Sequence, residues 1–253
     1  LQVIIWATIG ITSIKIGYIS NIFWWIIELE TFSFFLAGKE IFIIPLLFTI
    51  LWYVFVFNAL NWSDGIQGNT SGLSLICFFV IFLLWLKLYL TDNYSWGREN
   101  AEFIMLMSLI LVGTLIPFFY FDYKERILMG DSGTMFLWFM LATLAIISGW
   151  KIATVLAVFG IYAVDALYVV MRRLLRWKNP LKWDFTHLHH RLQNTGFTKD
   201  QILCLVFSLS FFFWVTSLFL DRTGKIIVFI IIGVFVMFLS FFLRKVKKIQ
   251  FKK

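Results

Sequence analysis

The sequence predicts an all-α polytopic membrane protein, and three observations carry that expectation. Of 253 residues, 61% are hydrophobic and only 14% are charged, whereas soluble domains carry about 25% charged residues. Mean hydropathy is +0.88. Apolar runs of a length that can span a bilayer, roughly 17–25 residues, recur from one end of the chain to the other.

Taken in order, the runs lie at about 2–18, 41–57, 72–90, 101–120, 133–149, 152–174, 201–219 and 225–243, so about eight transmembrane helices are expected. The first is the weakest, because Ile11 to Ile22 is rich in β-branched residues and could form a strand-like excursion. Residues 19–40, with Trp24 and Trp25, read as an interfacial loop. No internal repeat interrupts the pattern, so residues 1–253 form one transmembrane domain, with 244–253 as a basic tail. Cys77 and Cys204 sit inside apolar runs without metal-ligand spacing and read as small hydrophobes.

Lys and Arg set the orientation. With eight spans and the chain entering from the cytoplasm, inward connections and the tail hold 15 of the 22 cations, including Lys124, Arg126, Arg172, Arg173, Arg176 and Arg191. The outward side holds seven. Both ends are therefore expected in the cytoplasm. Loop bias and a lipid-binding tail account for the net charge of +8, and no nucleic-acid-binding motif occurs.

Three polar stretches then fall on the same face. The first, Asn58 to Gly72, breaks two apolar runs. Asn58, Asn61 and Asp64 sit three apart, so a continuing helix puts them on one face, and Gly65, Gly68 and Gly72 let backbone approach a ligand. Such a break also serves as a plain loop with a helix cap. The second, Gly130-Asp131-Ser132-Gly133-Thr134, opens an apolar helix. Asp131 reads either as an N-cap or as a carboxylate for a Mg²⁺-bound diphosphate beside Lys124 and Arg126. The third gathers all three histidines, His187, His189 and His190, next to Arg191. A Zn site, a structural turn and an anion-binding cluster are the readings. Zn would need a fourth ligand, and Asp184 is the one nearby; Arg191 favours phosphate or nucleotide. Asp165, inside an apolar run, is either a functional site or a structural residue bonded to a neighbouring helix, and its distance from Arg172 and Arg173 places it toward the midplane.

Asn58 to Gly72, Met129 to Thr134 and His187 to Leu192 together resemble the polyprenyl-phosphate N-acetylhexosamine-1-phosphate transferases of glycosyltransferase family 4. The order and spacing match over essentially the whole chain. The His-Leu-His-His-Arg form resembles the branch using UDP-N-acetylglucosamine-type donors; the muramoyl-pentapeptide branch usually has a further His where Arg191 stands. The resemblance implies transfer of a HexNAc-1-phosphate from a UDP-N-acetylhexosamine to polyprenyl (typically undecaprenyl) phosphate. UMP is released, Mg²⁺ is required with Mn²⁺ as a substitute, and the site faces the cytoplasm. It implies Asp64 and Asp131 as catalytic residues, with Asp131 the metal carboxylate and Asn58 an oxygen ligand or its orienter. Asn58, Asn61, Asp64, Gln67, His187, His189, His190 and Arg191 would bind substrate. A homodimer is compatible with the resemblance.

The chain also departs from that family. Gln67 stands where a second aspartate is common, Asp122 near a usual Asn, and Trp138 where a small residue usually follows. The family's adjacent Asp-Asp pair has no counterpart, since no Asp or Glu precedes Glu28. An N-terminal truncation is therefore expected, and with it inactivity of the 253 residues alone. Two other classes compete: an inactive remnant binding lipid or a partner, and a membrane carrier, which would scatter polar groups across membrane depth.

Overall fold

The computed structural model describes residues 18–20, 26–28, 32–36, 39–62, 64–91, 98–148, 159–177, 179, 187–220 and 222–250. Two antiparallel hairpins come first: β1 (Tyr18–Ser20) with β2 (Ile26–Glu28), and β3 (Ser33–Leu36) with β4 (Lys39–Phe42). These four short strands stand where a loop was expected, ahead of an otherwise helical chain. Aromatic and β-branched residues favour pleated pairing, and these short stretches lack the length of a span. The first expected span lies mostly outside the described residues.

The remainder is helical: α1 (Ile43–Asn61), α2 (Asn69–Leu90), α3 (Arg98–Tyr123), α4 (Gly130–Ile147), α5 (Gly160–Leu174), α6 (Leu188–Gln193), α7 (Lys199–Phe219) and α8 (Arg222–Gln250). Five described helices are long and apolar enough to cross a membrane: α1, α2, α3, α4 and the Lys199–Thr216 part of α7. The last apolar stretch, Ile227–Phe242, is shorter. Of the expected span 152–174, the described part is the 15-residue α5, which carries Asp165, Arg172 and Arg173. The described residues are thus mostly helical, with five candidate spans among them.

Large apolar side chains cover the outside, including Leu51 on α1, Leu106 and Ile110 on α3, and Phe238 and Phe241 on α8. Outward Leu, Ile and Phe on long helices suit hydrocarbon rather than water. Inside, Trp85, Trp138, Tyr53 and Phe78 are almost fully buried, so the bulk of Trp138 is absorbed by the core. Trp52 donates from Nε1 to the Ala142 carbonyl at 3.1 Å, and the Tyr53 and Thr143 hydroxyls meet at 2.7 Å. Both bonds fasten α1 to α4; cross-helix hydrogen bonds of this type, often about 0.6 kcal/mol and up to about 2, hold helices together where lipid offers no hydrophobic drive.

The start of α2 is built unusually. Its N-cap, Gly68, has a φ of 83° and no capping side chain. The cap comes from α3 instead: Asp122, 4% exposed, accepts from the Gly68 N–H at 3.1 Å and the Ser71 hydroxyl at 2.5 Å. A carboxylate there also meets the positive end of the helix dipole. The next residue, Tyr123, is held by α7. Lys199 Nζ donates to the Tyr123 carbonyl at 2.7 Å and to Glu125 Oε1 at 2.6 Å, while the Tyr123 hydroxyl donates to Asp200 Oδ1 at 2.8 Å. A capping box between Thr198 and Gln201 starts α7 itself.

Replacing Asp122 by Ala should therefore orphan a buried N–H and cost about 1–3 kcal/mol, read as a lower thermal midpoint in detergent. Asp122→Asn, which keeps one acceptor oxygen, should lose less. An Ala variant as stable as the parent would contradict this cap.

Candidate active site

The first polar stretch begins at the last turn of α1. Asn58 is half-buried, and its amide donates back to the Val54 carbonyl at 2.7 Å. Asn61 ends the helix, and its carbonyl accepts the Asp64 N–H at 3.2 Å. Asp64 lies exposed in the following turn, and both of its oxygens are engaged. Oδ1 accepts from the Thr70 hydroxyl at 2.5 Å, and Oδ2 from the Thr134 hydroxyl at 2.9 Å. Gln67 is half-buried in the same turn.

Thr134 belongs to the second stretch, so the Asp64 bond joins the first segment to the first turn of α4. Gly130 opens that helix with a φ of 66°, a value a side chain would resist. Asp131 is exposed and makes no hydrogen bond or ion pair among the described residues. The N-cap reading for Asp131 is thereby excluded: the cap position is Met129, and no side-chain cap is made.

The third stretch packs on the first through backbone. A Cβ built on Gly65 would lie 2.1 Å from His189 Nε2 and 3.1 Å from His190 Cε1. No real Cβ contact is that short, so glycine is what lets the His189 ring rest on the turn. The Trp62 ring stacks on His187, centroids 5.1 Å apart. His189 and His190 sit 4.0 Å apart by centroid. All three polar stretches therefore meet at one place.

Asp165 anchors the histidine segment from α5. It is 1% exposed; Oδ2 accepts from His187 Nδ1 at 3.1 Å and the Leu188 N–H at 2.9 Å, and Oδ1 accepts from Arg191 Nη2. Its described hydrogen-bond partners lie on the histidine segment rather than on another spanning helix. Arg191 also lies over the Tyr168 ring, 5.7 Å from the centroid. What remains unused is informative. His187 Nε2, both ring nitrogens of His189, and Arg191 Nε and Nη1 are buried without a hydrogen-bond partner among the described residues. Buried donors and acceptors are normally paired, so five such atoms in one cluster suit a polar ligand. Burial, reinforced by His190, pushes the His189 imidazole down to about 3, and it is neutral near pH 7. No set of three His, Cys, Asp or Glu placed to hold a metal occurs among the described residues, and Asp184, the fourth ligand a Zn site would use, lies outside them.

The structure thus joins Asp64, His187, His189, His190 and Arg191 around Trp62 and the turn at 64–68. Asp131 stands one helical turn from the Asp64 contact, and Asn58 lies at the end of α1 with its amide turned to its own helix. Sequence reasoning did not identify Thr70 and Thr134 as the fasteners of Asp64, Asp122 as a cap, or Trp62 as a stacking partner. Thr134, in the Gly-Asp-Ser-Gly-Thr run, was the nearest available signal.

The family model described as glycosyl transferase family 4 matches residues 2–149. The chain belongs to that family. The match takes in the Asp64 and Asp131 segments and stops before the histidines. Among curated relatives, the chain is 26% identical over 200 residues to a Bacillus subtilis protein named "Probable undecaprenyl-phosphate N-acetylglucosaminyl 1-phosphate transferase", covering 76% of this chain and 52% of the relative. It is 29% identical over 192 residues to the phospho-N-acetylmuramoyl-pentapeptide-transferase of Lactobacillus johnsonii, covering 74% and 52%. The decaprenyl-phosphate N-acetylglucosaminephosphotransferase of Mycolicibacterium smegmatis is 27% identical over 190 residues, with 64% and 44% covered. The chain spans about half the length of the curated relatives it matches.

Two outcomes follow from this geometry. Gly65→Ala should displace the His189 ring, read by mass spectrometry as new reactivity of His189 toward diethyl pyrocarbonate; unchanged protection would contradict the contact. The second concerns pH. His189 has a folded pKa below its ordinary value of 6.5, so the unfolded chain binds more protons between those limits. Its contribution to stability is intact above about 6.5 and is lost as pH falls toward about 3, at up to about 1.4 kcal/mol per pH unit. His189→Gln should flatten the loss of thermal stability between pH 7 and 5, and an unchanged slope would count against the burial of this imidazole.

Proposed function

We propose that this protein transfers an N-acetylhexosamine-1-phosphate from a UDP-sugar to a polyprenyl phosphate, at the cytoplasmic face of the cell membrane. The observation that carries the reading is the cluster of unpaired buried nitrogens on His187, His189 and Arg191, assembled beside Asp64 and the Asp131 turn. Cationic and hydrogen-bonding groups with unfilled valences suit a diphosphate, and the relatives' names describe nucleotide-sugar chemistry on polyprenyl carriers. The cytoplasmic assignment rests on the Lys and Arg bias.

In the reaction, a phosphate oxygen of the polyprenyl phosphate forms a bond to the sugar-bearing phosphorus. The bond from that phosphorus to the UMP oxygen breaks, and UMP leaves with the electron pair. The products are polyprenyl-diphosphate-sugar and UMP. His187, His189, His190 and Arg191 hold the donor's phosphate and sugar; Asp64, Asn61 and Gln67 line the nucleotide side. Thr70 and Thr134 orient the Asp64 carboxylate.

The residues also fit a Mg²⁺ ion. Asp131 offers an exposed carboxylate with no competing partner among the described residues, and Mg²⁺ is commonly held by one or two carboxylates plus substrate phosphates and water. Asn58 would contribute its carbonyl oxygen or orient a ligand. When bound, the ion would neutralise charge on the diphosphate and the departing UMP. Arg191 at the end of the histidine run points to UDP-N-acetylglucosamine as the donor, in a first step of cell-envelope glycan assembly.

Membranes containing the complete gene product, given polyprenyl phosphate and Mg²⁺, should release UMP from UDP-N-acetylglucosamine and not from UDP-muramoyl-pentapeptide. Asp131→Asn should lower that turnover roughly a hundredfold or more without shifting the thermal midpoint. Normal turnover by this variant would remove Asp131 from the metal site.

A further inference from the structure

Asp165 is a buried carboxylate with both oxygens in use. Oδ2 takes the His187 ring and the Leu188 N–H, and Oδ1 takes one arm of Arg191. A carboxylate flanked by a guanidinium is ionised and can only accept. The hydrogen in its bond with His187 therefore sits on Nδ1. The pairing uses one nitrogen of His187 and one of Arg191 and leaves their others, His187 Nε2 and Arg191 Nε and Nη1, buried and unpartnered among the described residues. The rings around them narrow the choice of orientation further: Trp62 stacks on His187 and Tyr168 lies under Arg191.

Such an arrangement is a poor way to gain stability. Desolvating a buried ion pair costs roughly as much as its attraction returns, and apolar residues of similar volume often do better. It is a good way to fix direction, because a histidine bonded at one nitrogen presents the other in a defined tautomer and ring orientation.

We infer that Asp165 is a positioning residue for the ligand cradle: it fixes the His187 hydrogen on Nδ1 and one arm of Arg191, so that His187 Nε2 and the remaining Arg191 nitrogens are presented to the diphosphate of the sugar donor. The anchoring stands on the geometry of α5 and α6, and the identity of the ligand rests on the proposed function. Asp165 itself need not touch substrate. Its loss should weaken donor capture more than it slows the step that follows.

The test uses the complete gene product in lipid nanodiscs, with ¹⁵N-labelled histidine. At pH 8 the His187 signal should show a protonated Nδ1 and a bare Nε2; in Asp165→Asn, whose amide cannot serve all three donors, the two tautomers should mix. A bare Nδ1 in the parent protein overturns the inference even if no variant folds. In the UMP-release assay, Asp165→Asn should raise KM for UDP-N-acetylglucosamine roughly ten- to hundredfold, the loss of a charge-assisted bond, with a smaller fall in kcat. Asp165→Glu should recover part of that KM. An unchanged KM, or a fall confined to kcat, overturns the positioning role. A fixed parent tautomer that mixes in Asp165→Asn, together with no UMP release by the parent, supports the anchoring and removes the functional reading alone.

Discussion

The rest of the site depends on one steric constraint: the backbone of Gly65 lies where a side chain cannot. His189 rests directly on that glycine, and through it the histidine segment reaches a turn more than a hundred residues earlier in the chain. A single methyl group would have to displace the imidazole, since the available gap of 2.1 Å is far inside van der Waals contact. The same turn carries Asp64, whose second oxygen reaches across to Thr134. Backbone approach on one side and a hydroxyl bridge on the other bring three distant segments together.

The carboxylates divide by how completely they are used. Asp122 and Asp165 are buried, and their described neighbours supply donors for each: a helix start in one case, a histidine, a backbone N–H and a guanidinium in the other. A buried carboxylate is tolerated only under such conditions. Asp64 is exposed yet held at both oxygens. Asp131 is exposed and unengaged among the described residues. Satisfied acids thus hold the frame, while the unengaged Asp131 opens the helix whose Thr134 bonds Asp64. The outer surface is simple by comparison, with apolar helices presenting Leu, Ile and Phe to lipid.

Much of this was legible in the sequence. Hydropathy located α1 to α4 and α7 because a membrane helix must be apolar over its whole length. The polar residues at 58–72, 130–134 and 187–191 stood out for the same reason. Less could be read where the code is shared between structures. The β-hairpins at 18–42 use aromatic and β-branched residues that also serve membrane helices, and α5 mixes apolar residues with Asp165, Arg172 and Arg173. The role of Asp165 was out of reach because it depends on which segment folds over it, some 22 residues downstream. Asp122 was noticed as a departure from a resembled pattern, but capping across helices leaves no mark in local sequence. Thr70 and Thr134 are ordinary helix residues until Asp64 lies between them.

A structure of the complete gene product with a UDP-N-acetylhexosamine and Mg²⁺ bound tests the central claim, that these segments form one diphosphate site. The account predicts the diphosphate within hydrogen-bond reach of His187 Nε2, His189 and Arg191, with the ion at Asp131. A nucleotide bound elsewhere, with those nitrogens paired to protein and Asp131 facing bare solvent, would contradict it.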